Sequence, residues 1–158
     1  MKKNSHAELV AIGKRWVIKN TTCTVAFSEI RCAGTAEIPD VIGFGSWGYS
    51  IVVECKTSRS DFLRDQEKIC RKDTLGMGRY RFFLCPENLI KMNELPNGWG
   101  LIYVNGRGHA KGMFNPYTRQ ISKMGGSRDG HPGFNQNLYA EHCFMYSVLR
   151  RNRDILNL

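Results

Sequence analysis

The sequence of 158 residues predicts a mixed α/β fold: a central mixed sheet of four to five strands flanked by helices. Three observations carry this. Helical periodicity opens the chain, recurs in the middle and closes it, with three strand-like runs between the first two helices and two more before the last. One strand run, Ile51-Val52-Val53, is apolar on both faces, as in a central strand covered from both sides. The length suits one domain around one hydrophobic core, spanning residues 1–158.

Taken in order, residues 5–19 read as a helix. Ser5-His6-Ala7-Glu8 has the form of a capping box, and Leu9, Ile12 and Trp16 recur at helical spacing before Asn20-Thr21-Thr22 breaks the pattern. Strands are expected at about 23–30, 37–44 and 49–56, with Gly45-Ser46-Trp47-Gly48 as the hairpin turn between the last two. A second helix starts after Lys56, capped by Ser58 or Ser60, and extends to about Leu75 before Gly76-Met77-Gly78. Further strands are expected at about 80–85 and 100–104. From about 105 to 137 the chain turns Gly-rich and basic, an excursion that is either a long loop or a twisted hairpin and is often functional at such length. A last helix is expected over about 138–149, with a basic end at Arg150-Arg151-Asn152-Arg153.

Charge narrows the partners. A formal net charge of +9 suits a polyanion such as nucleic acid. No apolar run approaches a membrane span and the N-terminus lacks the apolar stretch of a signal peptide, so the expectation is a cytoplasmic protein with no membrane partner. The six cysteines form no CxxC pair, and several sit in apolar strand runs, which predicts buried free thiols in a reducing compartment.

The chemistry concentrates on two strands. Pro39-Asp40 is expected within the second strand and Glu54-Cys55-Lys56 closes the third. Side chains alternate along a strand, so Glu54 and Lys56 share a face and Cys55 points away. If the strands pair through the Gly45–Gly48 turn, Asp40 comes beside Glu54. Two adjacent carboxylates repel, and a divalent cation with a preference for hard oxygen ligands, Mg²⁺ or Mn²⁺, removes that repulsion. Such an ion can hold a phosphate oxygen and acidify a water, while Lys56 orients the water or neutralises developing charge. The Cys55 carbonyl is a further candidate ligand. The bland alternative is a salt bridge on a basic sheet protein.

Pro39-Asp40 followed a hairpin later by Glu54-Cys55-Lys56 resembles the PD-(D/E)xK nuclease superfamily, most closely the small MmcB-like DNA-repair proteins. The similarity continues through Thr57-Ser58-Arg59-Ser60-Asp61-Phe62, Asp65, Lys68, Arg81-Phe82-Phe83 and Leu95-Pro96, covering roughly 40–104 and not the Gly-rich excursion. The resemblance implies a restriction-endonuclease-like core and Mg²⁺- or Mn²⁺-dependent hydrolysis of DNA phosphodiester bonds. Cleavage would be endonucleolytic more than exonucleolytic, in DNA repair or the processing of structured DNA. It implies Asp40, Glu54 and Lys56 as catalytic residues and Asp40, Glu54 and the Cys55 carbonyl as metal ligands. Glu8 on the first helix becomes a third acidic group, unless it serves only the capping box.

Other signals point less sharply. Glu29 and Glu37 are expected in structural or solvated roles. Asp61, Asp65 and Lys68 share a helix face; the resemblance favours a phosphate contact for Lys68, and Asp65 reads as part of a solvated face. Gly43-Phe44-Gly45-Ser46-Trp47-Gly48 spells GxGxxG, but a strand follows it where a dinucleotide site needs a helix. The four histidines form no ligand-like set. The excursion combines cations with Phe114, Tyr117 and Phe134, which suits a clamp stacking on unpaired bases as well as it suits a mobile basic loop. Arg59, Lys68, Arg107, Lys111, Arg119 and Lys123 are the expected DNA contacts. A rival function is a non-catalytic nucleic-acid-binding module of the same fold in a larger assembly. A homodimer is compatible with either.

Overall fold

A computed structural model describes residues 4–67, 76–118, 121, 124 and 129–157. The chain opens with α1 (His6–Asn20), whose start is fixed by the expected capping box: Ser5 Oγ accepts from the Glu8 N–H at 3.2 Å and Glu8 Oε2 accepts from the Ser5 N–H at 2.7 Å. Leu9, Ile12, Gly13, Trp16 and Val17 form its buried stripe, and the Thr21 hydroxyl closes the helix on the Val17 carbonyl at 2.7 Å. Then follow β1 (Cys23–Ser28), β2 (Val41–Gly45), β3 (Ser50–Cys55), α2 (Arg59–Gln66), β4 (Tyr80–Pro86), β5 (Trp99–Val104), β6 (Ala110–Phe114) and α3 (Leu138–Arg151).

The strands form one sheet in chain order, β1 to β6. β1, β2 and β3 make an antiparallel meander, β3–β4 and β4–β5 are parallel, and β5–β6 is an antiparallel hairpin. Every residue of β3 is buried, the signature of the two-sided apolar run in its sequence. On one face α1 covers Val41, Ile51, Val53, Cys55, Phe82 and Leu84. On the other, Ala140, Phe144 and Val148 of α3 pack on Ile42 and Val52, while Phe62 of α2 packs edge-on to Phe83 beside Trp99 and Leu101. Glu141 ties α3 down, accepting from Ser50 Oγ, from the Gly78 N–H at 2.9 Å and from Gln136 at 3.0 Å. Among the described residues no helix is long and apolar enough to cross a membrane.

The mixed sheet and its flanking helices agree with the sequence reading, but the sheet has six strands, not four to five. The sixth comes from the basic excursion, which begins as a hairpin. Its turn is braced by Asn105, whose Oδ1 accepts from the N–H groups of Arg107 and His109, both at 3.0 Å. Further on, the excursion corrects a second expectation. Tyr117 is fully buried, its hydroxyl bonded to the Arg81 N–H, the Arg81 carbonyl and, at 2.6 Å, the Gly98 carbonyl. Phe134 is buried beneath the Arg81 guanidinium, 4.1 Å from its ring centre, and Phe114 packs against the core. Tyr117 and Phe134 stack on protein, so they offer no face to a base, and Phe114 is half-buried. β2 begins at Val41, later than the expected 37, because the segment before it is held elsewhere: Glu37 accepts from the Met77 N–H at 2.7 Å, and the Pro39 carbonyl from the Glu29 N–H at 3.2 Å. The expected continuation of the second helix to Leu75 lies outside the described residues. Gly43 to Gly48 is a strand end and a 3₁₀ turn leading into β3, with Trp47 at φ 72° and almost wholly exposed.

Candidate active site

The antiparallel register of β2 and β3 pairs Val41 with Val53, and its next step sets Asp40 across from Glu54. Asp40 stands in the bend before β2, not within the strand as expected. Its side chain continues the ladder where the backbone leaves it: Oδ2 accepts from the Cys55 N–H at 2.7 Å. On the far side of β3, the Lys56 N–H donates to the Leu84 carbonyl at 2.9 Å, so the chain stays bound to β4 one residue beyond the strand. Asp40, Glu54 and Lys56 are thus gathered at one end of the sheet by backbone pairing on both flanks.

Glu54 and Lys56 are 2% and 3% exposed, deeper than the exposed sheet end their sequence suggested. The Lys56 ammonium lies 3.8 Å from Glu54 Oε2 and 3.2 Å from Asp65 Oδ1. Asp65 is itself only 1% exposed, which overturns its reading as part of a solvated face. It reaches inward from α2, whose start is set by Ser58 Oγ accepting from the Asp61 N–H at 3.2 Å. Burying charge is costly unless it is balanced. Glu54 and Asp65 face the Lys56 ammonium, and Asp40 adds a third carboxylate at the same end of the sheet through its bond to the Cys55 N–H. Carboxylate oxygens are the donors that Mg²⁺ and Mn²⁺ prefer. The Cys55 thiol faces the α1 side and its pKa is pushed up, first by burial and then by the carboxylates of Asp40 and Glu54. It stays protonated and contributes packing, which leaves only the backbone of this residue for site chemistry.

A second cluster shares Asp40. His6 Nε2 lies 3.4 Å from Asp40 Oδ1 and 3.2 Å from Glu29 Oε1, and the three groups lie within 4.8 Å of one another. Among the described residues this is the set of His, Cys, Asp and Glu side chains close enough to share an ion, and Glu54 is not in it. The sequence reading assigned no ligand role to His6 and a structural or solvated one to Glu29. No local signal marks them, because they meet only when the first turn of α1 crosses the end of β1.

The remaining expected residues are dispersed. Glu8 lies outside the His6–Glu29–Asp40 set, and its carboxylate serves the capping box. Arg59 is drawn into a two-pronged pair with Glu94, with one bond at 2.9 Å, and also donates to the Leu89 carbonyl at 2.9 Å. That pair holds the Glu94 carboxyl down to about 2, chiefly through the Arg59 hydrogen bonds. Arg107 and Lys111 are exposed on the β5–β6 hairpin. Lys68, Arg119 and Lys123 lie outside the described residues.

No family model matches the chain, and no protein of curated function matches it in sequence. Among solved structures, a protein of unknown function from Silicibacter pomeroyi is similar, with a TM-score of 0.56 and 18% identity over 96% of this chain and 92% of that one. At that identity the similarity is one of fold.

Proposed function

We propose that this chain is a metal-dependent nuclease that hydrolyses DNA phosphodiester bonds at the corner built by Asp40, Glu54 and Lys56. The observation that carries the reading is the β2–β3 register, which sets Asp40 opposite Glu54 with Lys56 two residues beyond Glu54 in the same chain segment, its ammonium between Glu54 and Asp65. A mixed sheet flanked by helices, with six strands where the PD-(D/E)xK resemblance implies four to five, supports the reading at the level of fold class.

In this reading Asp40 and Glu54, with the Cys55 carbonyl, hold Mg²⁺ or Mn²⁺. When bound, that ion supplies charge stabilisation at the phosphate and an acidified water. Asp40 is kept in place by the Cys55 N–H, so its carboxylate is oriented before any ligand arrives. Lys56 is held by Glu54 and Asp65, and Asp65 acts as a positioning residue that fixes the ammonium against its neighbour. The ammonium then stabilises negative charge as the scissile bond breaks. Metal-dependent plasmid nicking tests the reading. Native protein should nick with Mg²⁺ or Mn²⁺ and stop with EDTA, and Asp40→Ala should be inactive in every condition. Nicking that survives EDTA and the substitution removes the proposal.

A second reading is favoured by the burial of Lys56. An ammonium enclosed by two carboxylates also describes a structural ion cluster in a DNA-binding module that does not cut. DNA binding without cleavage in any divalent metal would select it.

A further inference from the structure

Among the described residues, some cations are committed to partners and others are not. Lys56 is neutralised by Glu54 and Asp65, Arg59 by Glu94, and the Arg81 guanidinium is consumed by the Gly76 and Gly78 carbonyls and the Phe134 ring. Arg15, Lys19 and Arg107 are exposed and make no ion pair with another described residue. They line one feature. Two adjoining hollows form a trough along α1, with the β5–β6 turn as its opposite wall, and both are lined by Ile12, Arg15 and Gly108. Towards the C-terminal end of α1 the trough is bounded by Arg15, Lys19 and His109; towards its N-terminal end, by Arg15, Arg107 and Glu8.

We propose that this trough binds the sugar–phosphate backbone of a single nucleic-acid strand and leads it towards the Asp40–Glu54–Lys56 corner. The direction of the strand rests on the nuclease reading; its binding does not. Charge selects the partner: three cations without an ion pair to another described residue line the walls with one carboxylate, Glu8, which accepts from the Ser5 N–H. Spacing agrees, because Arg15 and Lys19 stand one helical turn apart, about 6 Å along the axis, the order of the step between phosphates in an extended strand. From Glu8 to Asn20 the trough follows α1 for about 18 Å, enough for about three nucleotides. No large exposed hydrophobic side chain lines the trough, so it lacks the apolar anchors of a membrane surface.

The wall opposite α1 is stiff before any ligand binds. Asn105 closes the turn through its side chain and backbone, with the Gly108 N–H on the Asn105 carbonyl at 2.9 Å and the Asn105 N–H on the His109 carbonyl at 3.0 Å. Gly108 takes a φ of +79°, a conformation that costs glycine nothing and that a side chain would strain. At the N-terminal end of α1, His6 lies 3.4 Å from Asp40 on the side of the helix away from the trough, so the strand would reach the candidate site by rounding the first turn of α1.

Fluorescence anisotropy with a labelled oligothymidylate in EDTA tests binding separately from cleavage, over a salt series. Arg15→Gln/Lys19→Gln should weaken binding about tenfold and lower the salt slope by about 1.4, the loss of two phosphate contacts on a single strand. Arg153→Gln, exposed at the far end of the chain, should change neither. An unaltered slope in the double variant overturns the proposal. So does a duplex bound as tightly as the single strand, or phosphatidylserine vesicles bound through these residues while the oligonucleotide is not. A chain that binds the strand through Arg15 and Lys19 yet never cuts keeps the trough and removes the nuclease. A chain that cuts while the double variant binds normally does the reverse.

Discussion

Replacing Asp65 with asparagine separates a buried ion cluster from an ordinary helix surface. The Asp65 carboxylate is 3.2 Å from the Lys56 ammonium, and both are almost wholly buried. At an effective dielectric constant of about 20, that pair is worth about 5 kcal/mol of Coulomb energy. Part of it is offset by the cost of burying Asp65, and Glu54 remains beside Lys56 at 3.8 Å. The expected net loss is therefore about 3 kcal/mol, near the lower end for breaking a buried pair. In a domain of this size that lowers Tm by about 6–12 °C. Urea denaturation of native protein, Asp65→Asn, Lys56→Met and the double variant forms a cycle, with an expected coupling of at least about 1 kcal/mol between the two sites. A loss for Asp65→Asn within about 0.5 kcal/mol, as for surface positions, refutes the reasoning.

Lys56→Ala should retain divalent-metal binding by calorimetry while losing most nicking activity, because the ammonium is not a ligand in the proposed site. Tyr117→Phe removes a buried hydroxyl that serves the Arg81 N–H and the Gly98 carbonyl, and should cost about 1–3 kcal/mol in urea denaturation. For the Arg59–Glu94 pair, the folded carboxyl at about 2 lies below its ordinary 4.5. The pair therefore contributes stability above about 4.5 that is lost as pH falls towards about 2, and Glu94→Gln should flatten that part of an acid-denaturation profile.

What the sequence made legible is what local pattern can encode. The Ser5–Glu8 capping box, the stripe of Leu9, Ile12 and Trp16, and the two-sided run of β3 all appear where periodicity puts them. The gap between Asp40 and Glu54 is hairpin-sized, so their pairing could be read before any coordinates. Other features depend on contacts between distant segments. Asp65 sits at helical spacing from Asp61, which looks like a solvated stripe, and its partner Lys56 is visible only once α2 packs back on β3. β6 was obscured because Ala110-Lys111-Gly112-Met113-Phe114 is an edge strand with small and charged residues; Gly112 is needed there because a Cβ would come within 2.1 Å of Met124. Tyr117 and Phe134 look like ligand-stacking rings in a polar, Gly-rich stretch, yet they fill the space around the buried Arg81.

The central claim is that Asp40 and Glu54 hold one catalytic cation. Anomalous scattering from crystals grown with Mn²⁺ locates the ion directly. The account predicts a peak shared by the carboxylates of Asp40 and Glu54 beside the Cys55 carbonyl, and its loss in Asp40→Ala crystals. A peak held by His6 and Glu29 with no bond to Glu54, or no peak at this end of the sheet under conditions in which the protein cuts DNA, contradicts it.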